Sequence, residues 1–319
     1  MKVVVLDGYL VNHDNMHWEV KDRFPNLVWY DESAPEQIAE RIGDAEIVFA
    51  CRAPITAETF EKCPNIRYIG VLGTGFNAID VAAASAHGVV VSNVSSYSTD
   101  AVTQVTFSLL LEIMGSIFAR TSYVKQGGWT KFKDPGVSEV PMYEIAGKTM
   151  GIIGMGSIGS AVARVANAFG MDVVAYRRHP DKSLENDHLK FVDLETLYQV
   201  SDVISIHCPL TPETQGMINA ESIAKMKDGV VILNTSRGPV IDEQALSDAL
   251  DSGKVYMAGL DVLTNEPPKA DNPLVHNPRC IITPHIGWTP KETRARLLDI
   301  SAQCLFGFLE GKPMNVVNK

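Results

Sequence analysis

Residues 148–178 constrain this chain more than any other stretch. Thr149, Met150, Ile152 and Ile153 make a short apolar run that ends in Gly154, Met155, Gly156, Ser157, Ile158 and Gly159, a GxGxxG spacing. Behind it, Ala161, Val162, Val165, Ala166 and Phe169 recur at helical spacing, and Val173 to Tyr176 form a second apolar run. Three neighbouring glycines in a chain of 24 would by themselves read as a loop. Between a strand and a helix each has its own task. Gly154 permits a tight turn, Gly156 lets a pyrophosphate approach the backbone, and Gly159 lets helix and strand pack closely. The amides at the helix start then hold phosphate charge. The stretch is a candidate dinucleotide site.

The second strand of such a unit usually ends in an acid that bonds the adenosine ribose. Here Arg177 and Arg178 follow Tyr176. Guanidiniums attract the 2′-phosphate that an Asp would repel. The expected cofactor is therefore NADP(H), with NAD(H) as the alternative; two arginines capping a solvent-facing turn give the same pattern.

The rest of the chain alternates strand and helix. Strands are expected at residues 2–6, Leu27–Tyr30, Glu46–Ala50, Arg67–Val71 and Val89–Val91, with helices at Ile38–Ile42 and Val81–Ala86. A long apolar helix follows Ser98, Thr99 and Asp100. Beyond residue 178 the alternation continues through Leu194–Val200, Val203–Ile206, Val230–Leu233, Glu243–Leu250, Tyr256–Leu260 and Cys280–Ile282. A last helix spans Pro290–Leu309. This is the pattern of an α/β protein: a doubly wound parallel-sheet (Rossmann) domain over residues 99–287, and a smaller, flavodoxin-like α/β domain. The terminal helix is expected to rejoin the smaller domain, making it residues 1–98 plus 288–319. Residues 127–141, with Trp129 and Phe132, show no period and read as an extended segment against a second subunit or as a surface loop.

Length and composition limit the function classes. A chain of 319 residues with 45% apolar content can fill two cores. Met1 and Lys2 lead straight into the Val3–Leu6 run with no cleavable signal pattern, and the longest apolar stretch, near Leu109–Leu111, is broken by Glu112. No membrane association is expected. A net charge of −10 without a basic run argues against a nucleic-acid partner. Five cysteines without a CxxC pair argue for a reducing compartment, with the cytoplasm as the default. His276, Cys280 and His285 match no zinc spacing, so no metal is expected.

Three residues lie just beyond strand ends of the larger domain: Arg237, Glu266 and His285. Each alone has a plain structural reading, as a turn residue, a solvated acid and a core histidine. Beside a nicotinamide site they form a set. Reduction of a ketone by hydride leaves charge on oxygen, and a histidine is suited to supply the proton. A carboxylate on the other ring nitrogen fixes the tautomer, which suits Glu266. A 2-keto acid carries a carboxylate beside its carbonyl, and a guanidinium can grip that pair, which suits Arg237. In the smaller domain the amides of Thr74 and Gly75, at a strand end, are candidates to hold the substrate carboxylate; a simple glycine turn reads equally well. Two domains closing over the substrate would exclude water.

The segments NTSRGPVIDE (Asn234–Glu243), GLDVLTNEPP (Gly259–Pro268), TPHIGW (Thr283–Trp288) and GKTMGIIGMGSIG (Gly147–Gly159) resemble the D-isomer specific 2-hydroxyacid dehydrogenases, and the likeness covers essentially the whole chain. The resemblance implies catalytic roles for Arg237, Glu266 and His285. It implies cofactor contacts at Ser157, Ile158, Cys208, Pro209, Thr214, Thr235 and Asp261, the last two near the nicotinamide, and a homodimer formed mainly through the cofactor domain. Within the family, VVLDGYLVN at the amino end, PMYEIAGKT and Trp288 are similar to the glycerate dehydrogenases, also called hydroxypyruvate reductases. Arg177 departs from the usual ribose-binding acid. The expected reaction is hydride transfer to a small 2-keto acid, hydroxypyruvate or glyoxylate ahead of pyruvate. A D-lactate-type enzyme, a reductase of bulkier keto acids and a non-catalytic NAD(P)-sensing interaction protein are the alternatives.

Overall fold

Alternation of apolar residues sets the two faces of every strand, and the faces determine what packs where. A computed structural model describes residues 1–131 and 141–318 of the chain. Two compact units result: Met1–Ser98 with Trp288–Lys319, and Thr99–Gly287.

The first unit carries a parallel sheet of β1 (Val3–Val5), β2 (Val28–Trp29), β3 (Ile47–Ala50), β4 (Tyr68–Val71) and β5 (Val90–Ser92), in the order β2-β1-β3-β4-β5. That is the flavodoxin-like order. Val4, Leu6, Val48 and Ile69 point to one face, under Ile38, Ile42 and Phe60. Val3, Val5, Ile47, Phe49 and Tyr68 point to the other, where Trp18 and the helix Lys291–Leu309 cover them through Leu297, Leu298 and Leu305. Trp18 meets Phe49 edge-on at 4.9 Å, and its indole donates to the Leu298 carbonyl at 3.0 Å. The buried Arg294 of this helix grips Asp14 bidentately at 2.7 and 2.9 Å, which ties the loop after β1 to the unit.

The second unit carries seven strands: β6 (Thr149–Ile153), β7 (Asp172–Tyr176), β8 (Leu189–Phe191), β9 (Val203–Ile206), β10 (Val230–Asn234), β11 (Val255–Leu260) and β12 (Cys280–Ile282). Their order is β12-β11-β10-β9-β6-β7-β8, all parallel, a Rossmann arrangement whose direction of winding reverses between β6 and β9. Ile153, Ile204, Ile206 and Ile232 face one core; Met150, Ile152, Val203, Val231 and Leu233 face the other. The helix Thr99–Gly115 lies on the second face, close enough to β11 that a Cβ at Gly259 would come within 3.0 Å of the Leu109 Cβ. Among the described residues no single helix is long and apolar enough to cross a membrane.

Three local features differ from the expectations above. A second helix, Ile117–Lys125, follows a break at Ser116, whose φ of 49° ends the first. β8 is an added edge strand. Gly128–Lys131 is a turn of 3-10 helix rather than extended chain, and Phe132 lies outside the described residues.

Candidate active site

Strand register lines up the residues just past the second sheet. Ile153 pairs with Tyr176 and with Ile206; Asn234 pairs with Ile206 and with Leu260; Leu260 pairs with Ile282. The next residue on each strand therefore stands abreast of its neighbours along the carboxyl edge, in the order Arg177, Gly154, His207, Thr235, Asp261, Thr283. From β7 to β10 this edge spans three strand spacings, about 14 Å.

The glycine turn sits where the winding reverses. Gly154 has φ +102°, and a Cβ there would lie 2.6 Å from the Cys208 amide nitrogen, so no larger residue fits. A Cβ at Gly159 would meet the Gly154 carbonyl oxygen at 2.1 Å, so the helix Ser157–Ala168 rests directly on the turn. At Gly156 a Cβ would meet nothing within 4 Å, and no side chain caps the helix. A pyrophosphate fits this cradle, because the backbone there is open and the helix start favours anions. Ser157 is exposed and Ile158 half-buried at the first turn.

On one side of the turn Arg177 and Arg178 are exposed, and the Arg178 Nη2 lies 3.5 Å from Glu213 Oε2. On the other side Cys208 and Pro209 leave β9. The Thr214 hydroxyl donates to the Pro209 carbonyl at 2.7 Å and accepts from the Thr211 amide at 2.8 Å, which closes this loop on itself. His207 Nε2 bonds the buried Ser205 hydroxyl at 2.8 Å. As a residue His207 keeps some surface, but its Nδ1 is sealed from solvent with no partner among the described residues. Burial pushes its pKa down to about 3, so the ring is neutral.

Further along the edge the chain presents its candidate catalytic groups. Asn234, fully buried at the end of β10, donates from Nδ2 to the Arg237 carbonyl at 2.9 Å and accepts from the Ser236 amide at 3.0 Å and hydroxyl at 2.9 Å. This Asx turn fixes the backbone from which the half-buried Arg237 projects. The next residue, Gly238, abuts the loop after β11: a Cβ there would fall 2.0 Å from the Leu263 carbonyl carbon. That loop carries Glu266, whose Oε1 accepts from the Leu263 amide at 3.2 Å and whose Oε2 accepts from His285 Nδ1 at 2.6 Å. The His285 and Glu266 side chains keep 29% and 27% of their surface, enough to meet a small ligand.

His285 has φ 55°, a left-handed conformation that non-glycine residues adopt at a cost of order 1 kcal/mol. Asp261, at 2% exposure, holds the backbone on both sides of it. Its Oδ1 accepts from the Thr283 hydroxyl at 2.6 Å and the Ile286 amide at 2.8 Å, and its Oδ2 from the Gly287 amide at 2.8 Å.

Comparison with known proteins accounts for this combination. A family model described as "D-isomer specific 2-hydroxyacid dehydrogenase, NAD binding domain" matches residues 107–287. A hydroxypyruvate reductase of Blautia hydrogenotrophica is 49% identical over 100% of both chains. The chain belongs to the D-isomer specific 2-hydroxyacid dehydrogenase family. A glycerate dehydrogenase of Methylorubrum extorquens is 40% identical, over 99% of this chain and 98% of its own. The solved D-lactate dehydrogenase of Aquifex aeolicus, complexed with NAD and lactic acid, matches with a TM-score of 0.88 at 28% identity, covering 100% of this chain and 99% of the other.

In this 2-hydroxyacid dehydrogenase the residues expected from sequence fall into two sets. Gly154, Gly156, Ser157, Ile158, Gly159, Arg177, Arg178, Cys208, Pro209, Thr214, Thr235, Arg237, Asp261, Glu266 and His285 all belong to the second unit, at its carboxyl edge. Thr235 is buried and bonds the Thr106 hydroxyl at 3.1 Å. Thr74 and Gly75 belong to the first unit, at the end of β4, where the Thr74 hydroxyl donates to the Val94 carbonyl at 2.9 Å and the Thr74 carbonyl accepts from Asn93 at 2.7 Å. Sequence reasoning passed over His207, Glu213, Asn234 and Glu243. Of these only Asn234 carried a local signal, an Asx residue opening a turn. Glu243 accepts from the Thr264 amide at 2.7 Å and from Asn272 at 2.8 Å, steadying the loop of Glu266. Among the described residues no cluster of His, Cys, Asp and Glu could hold a metal ion.

Proposed function

We propose that this dehydrogenase reduces a small 2-keto acid to the D-2-hydroxy acid, with hydroxypyruvate and glyoxylate ahead of pyruvate, and with NADP(H) preferred over NAD(H). The observation that carries the reading is the 2.6 Å bond between His285 Nδ1 and Glu266, beside the loop that presents Arg237. The substrate class is supported by the relatives named hydroxypyruvate reductase and glycerate dehydrogenase. The cofactor preference is supported by two arginines where a ribose-binding acid usually stands.

A nicotinamide dinucleotide held by the glycine turn supplies the hydride. The chain does the rest. Arg237 pairs with the substrate carboxylate and polarises the neighbouring keto oxygen. With Nδ1 committed to Glu266, His285 has Nε2 left to donate a proton to that oxygen as charge develops on it. Glu266, bonded to Nδ1, orients the ring for that transfer. In the first unit, residues 1–98 and 288–319, the amides of Thr74 and Gly75 are candidates to bind a carboxylate.

The second unit is also the surface we assign to a homodimer. Phe118 is 76% exposed and Trp129 63%, an apolar presentation suited to a second copy. A reducing cytoplasm agrees with five free cysteines.

The test is a panel of hydroxypyruvate, glyoxylate, pyruvate and a branched 2-keto acid, each assayed with NADPH and NADH. Hydroxypyruvate or glyoxylate should give the highest kcat/KM, and NADPH should exceed NADH. Turnover of none would favour the NAD(P)-sensing reading, and equal or NADH-favouring values would overturn the cofactor preference.

A further inference from the structure

The residue missing from the end of β7 has a counterpart on the neighbouring loop. In the sheet β6 lies between β7 and β9, all three parallel, so the loops leaving β7 and β9 flank the glycine turn on either side. Arg178 comes from the first loop and Glu213 from the second, and their side chains meet at 3.5 Å. The Glu213 loop is prebuilt. Thr214 clamps it through the Pro209 carbonyl and the Thr211 amide, the Gln215 amide donates to the Thr211 carbonyl at 3.0 Å, and the Thr214 amide does so at 3.1 Å. The Thr211 hydroxyl, and then Arg178, hold the Glu213 carboxyl below its ordinary pKa, so it is ionised at neutral pH.

We propose that Glu213 sets the choice of cofactor: bridged to Arg178 across the glycine turn, it is the acid at the adenosine end, and it keeps NAD(H) usable at a site whose arginines favour NADP(H). The proposal rests on the reading of Arg177 and Arg178 as the residues at the adenosine ribose. A carboxylate accepts hydrogen bonds from the vicinal hydroxyls of that ribose. Against a 2′-phosphate the same carboxylate is a like charge, and it competes for the guanidinium that would bind the phosphate. Both parts of the pair are about two-thirds exposed, at 66% and 65%, so salt screens the effect and its size is modest.

The experiment compares the ratio of kcat/KM for NADPH to that for NADH in the wild type, Glu213→Gln, Arg178→Gln and, as a control, Glu221→Gln, which removes an acid paired with Lys225 elsewhere on the surface. Glu213→Gln should raise the ratio by about fivefold, less at high salt, with NADPH binding tightened and NADH binding weakened in fluorescence titrations. Arg178→Gln should lower the ratio, and Glu221→Gln should leave it unchanged. If Arg178→Gln lowers the ratio while Glu213→Gln does not raise it, the role of Glu213 is overturned and the arginine reading stands. If Arg178→Gln leaves the ratio unchanged, the arginine reading fails and this proposal with it. An equal rise with Glu221→Gln would reduce the effect to net charge and overturn the proposal as well.

Discussion

At the scale of single residues, the proposed reaction needs a proton at the atom where charge develops, and His285 is the proposed donor. Its Nδ1 is bonded to Glu266 at 2.6 Å, which leaves Nε2 as the nitrogen to act. His285→Ala should lower kcat by roughly 10²–10⁴-fold while NADPH affinity, measured by fluorescence titration, changes little. Near-normal turnover would remove the proton-donor role. The placement of Arg237, Glu266 and His285 along one edge could be expected from the sequence because each follows an apolar strand. His207 and Glu213 were not. A histidine ending a buried run looks like any core histidine, and an acid in the loop 209–214 gains meaning only when Arg178 is found beside it.

At the scale of elements, the His285 loop owes its shape to one buried carboxylate. Asp261 accepts three donors, from Thr283, Ile286 and Gly287, and so holds His285 in its left-handed conformation. Asp261→Asn replaces one acceptor oxygen with a donor that must face a donor. A buried unsatisfied group of that kind costs about 1–3 kcal/mol. The expected result is a lower melting temperature together with a kcat reduced at least about tenfold; a stable variant of full activity would show that the loop is held without Asp261. Most strands were readable because their residues are apolar on one or both faces, as in Val3–Val5 or Val230–Asn234. The helix Ile117–Lys125 was missed because it buries none of its residues and so has no apolar face to announce it. β8 was missed because it is three residues long, with the exposed Lys190 at its centre.

At the scale of the whole molecule, one buried histidine ties stability to pH. His207 is neutral when folded, with a pKa near 3, whereas in an unfolded chain it would titrate near 6.5. Between those values the unfolded state binds a proton that the folded state excludes, so this contribution to stability is full above about 6.5 and is lost as the pH falls towards about 3. His207→Gln should therefore lose less stability than the wild type across that window in urea titrations, whatever its stability at neutral pH. Parallel slopes would mean that His207 titrates normally. The two parallel sheets followed from the alternation of helix and strand along the chain, but their strand orders and the alignment of six strand ends along one edge depend on pairing and register, which no local pattern displays.

The proposed reaction requires Arg237 and His285 to meet the same keto acid. A crystal structure of the protein with NADPH and oxamate, an unreactive mimic of a 2-keto acid, tests this most directly. The prediction is the oxamate carboxylate on the Arg237 guanidinium, its carbonyl oxygen within hydrogen-bond distance of His285 Nε2, and the dinucleotide on the glycine turn. An oxamate bound away from His285, or a dinucleotide bound elsewhere than at Gly154–Gly159, would contradict it.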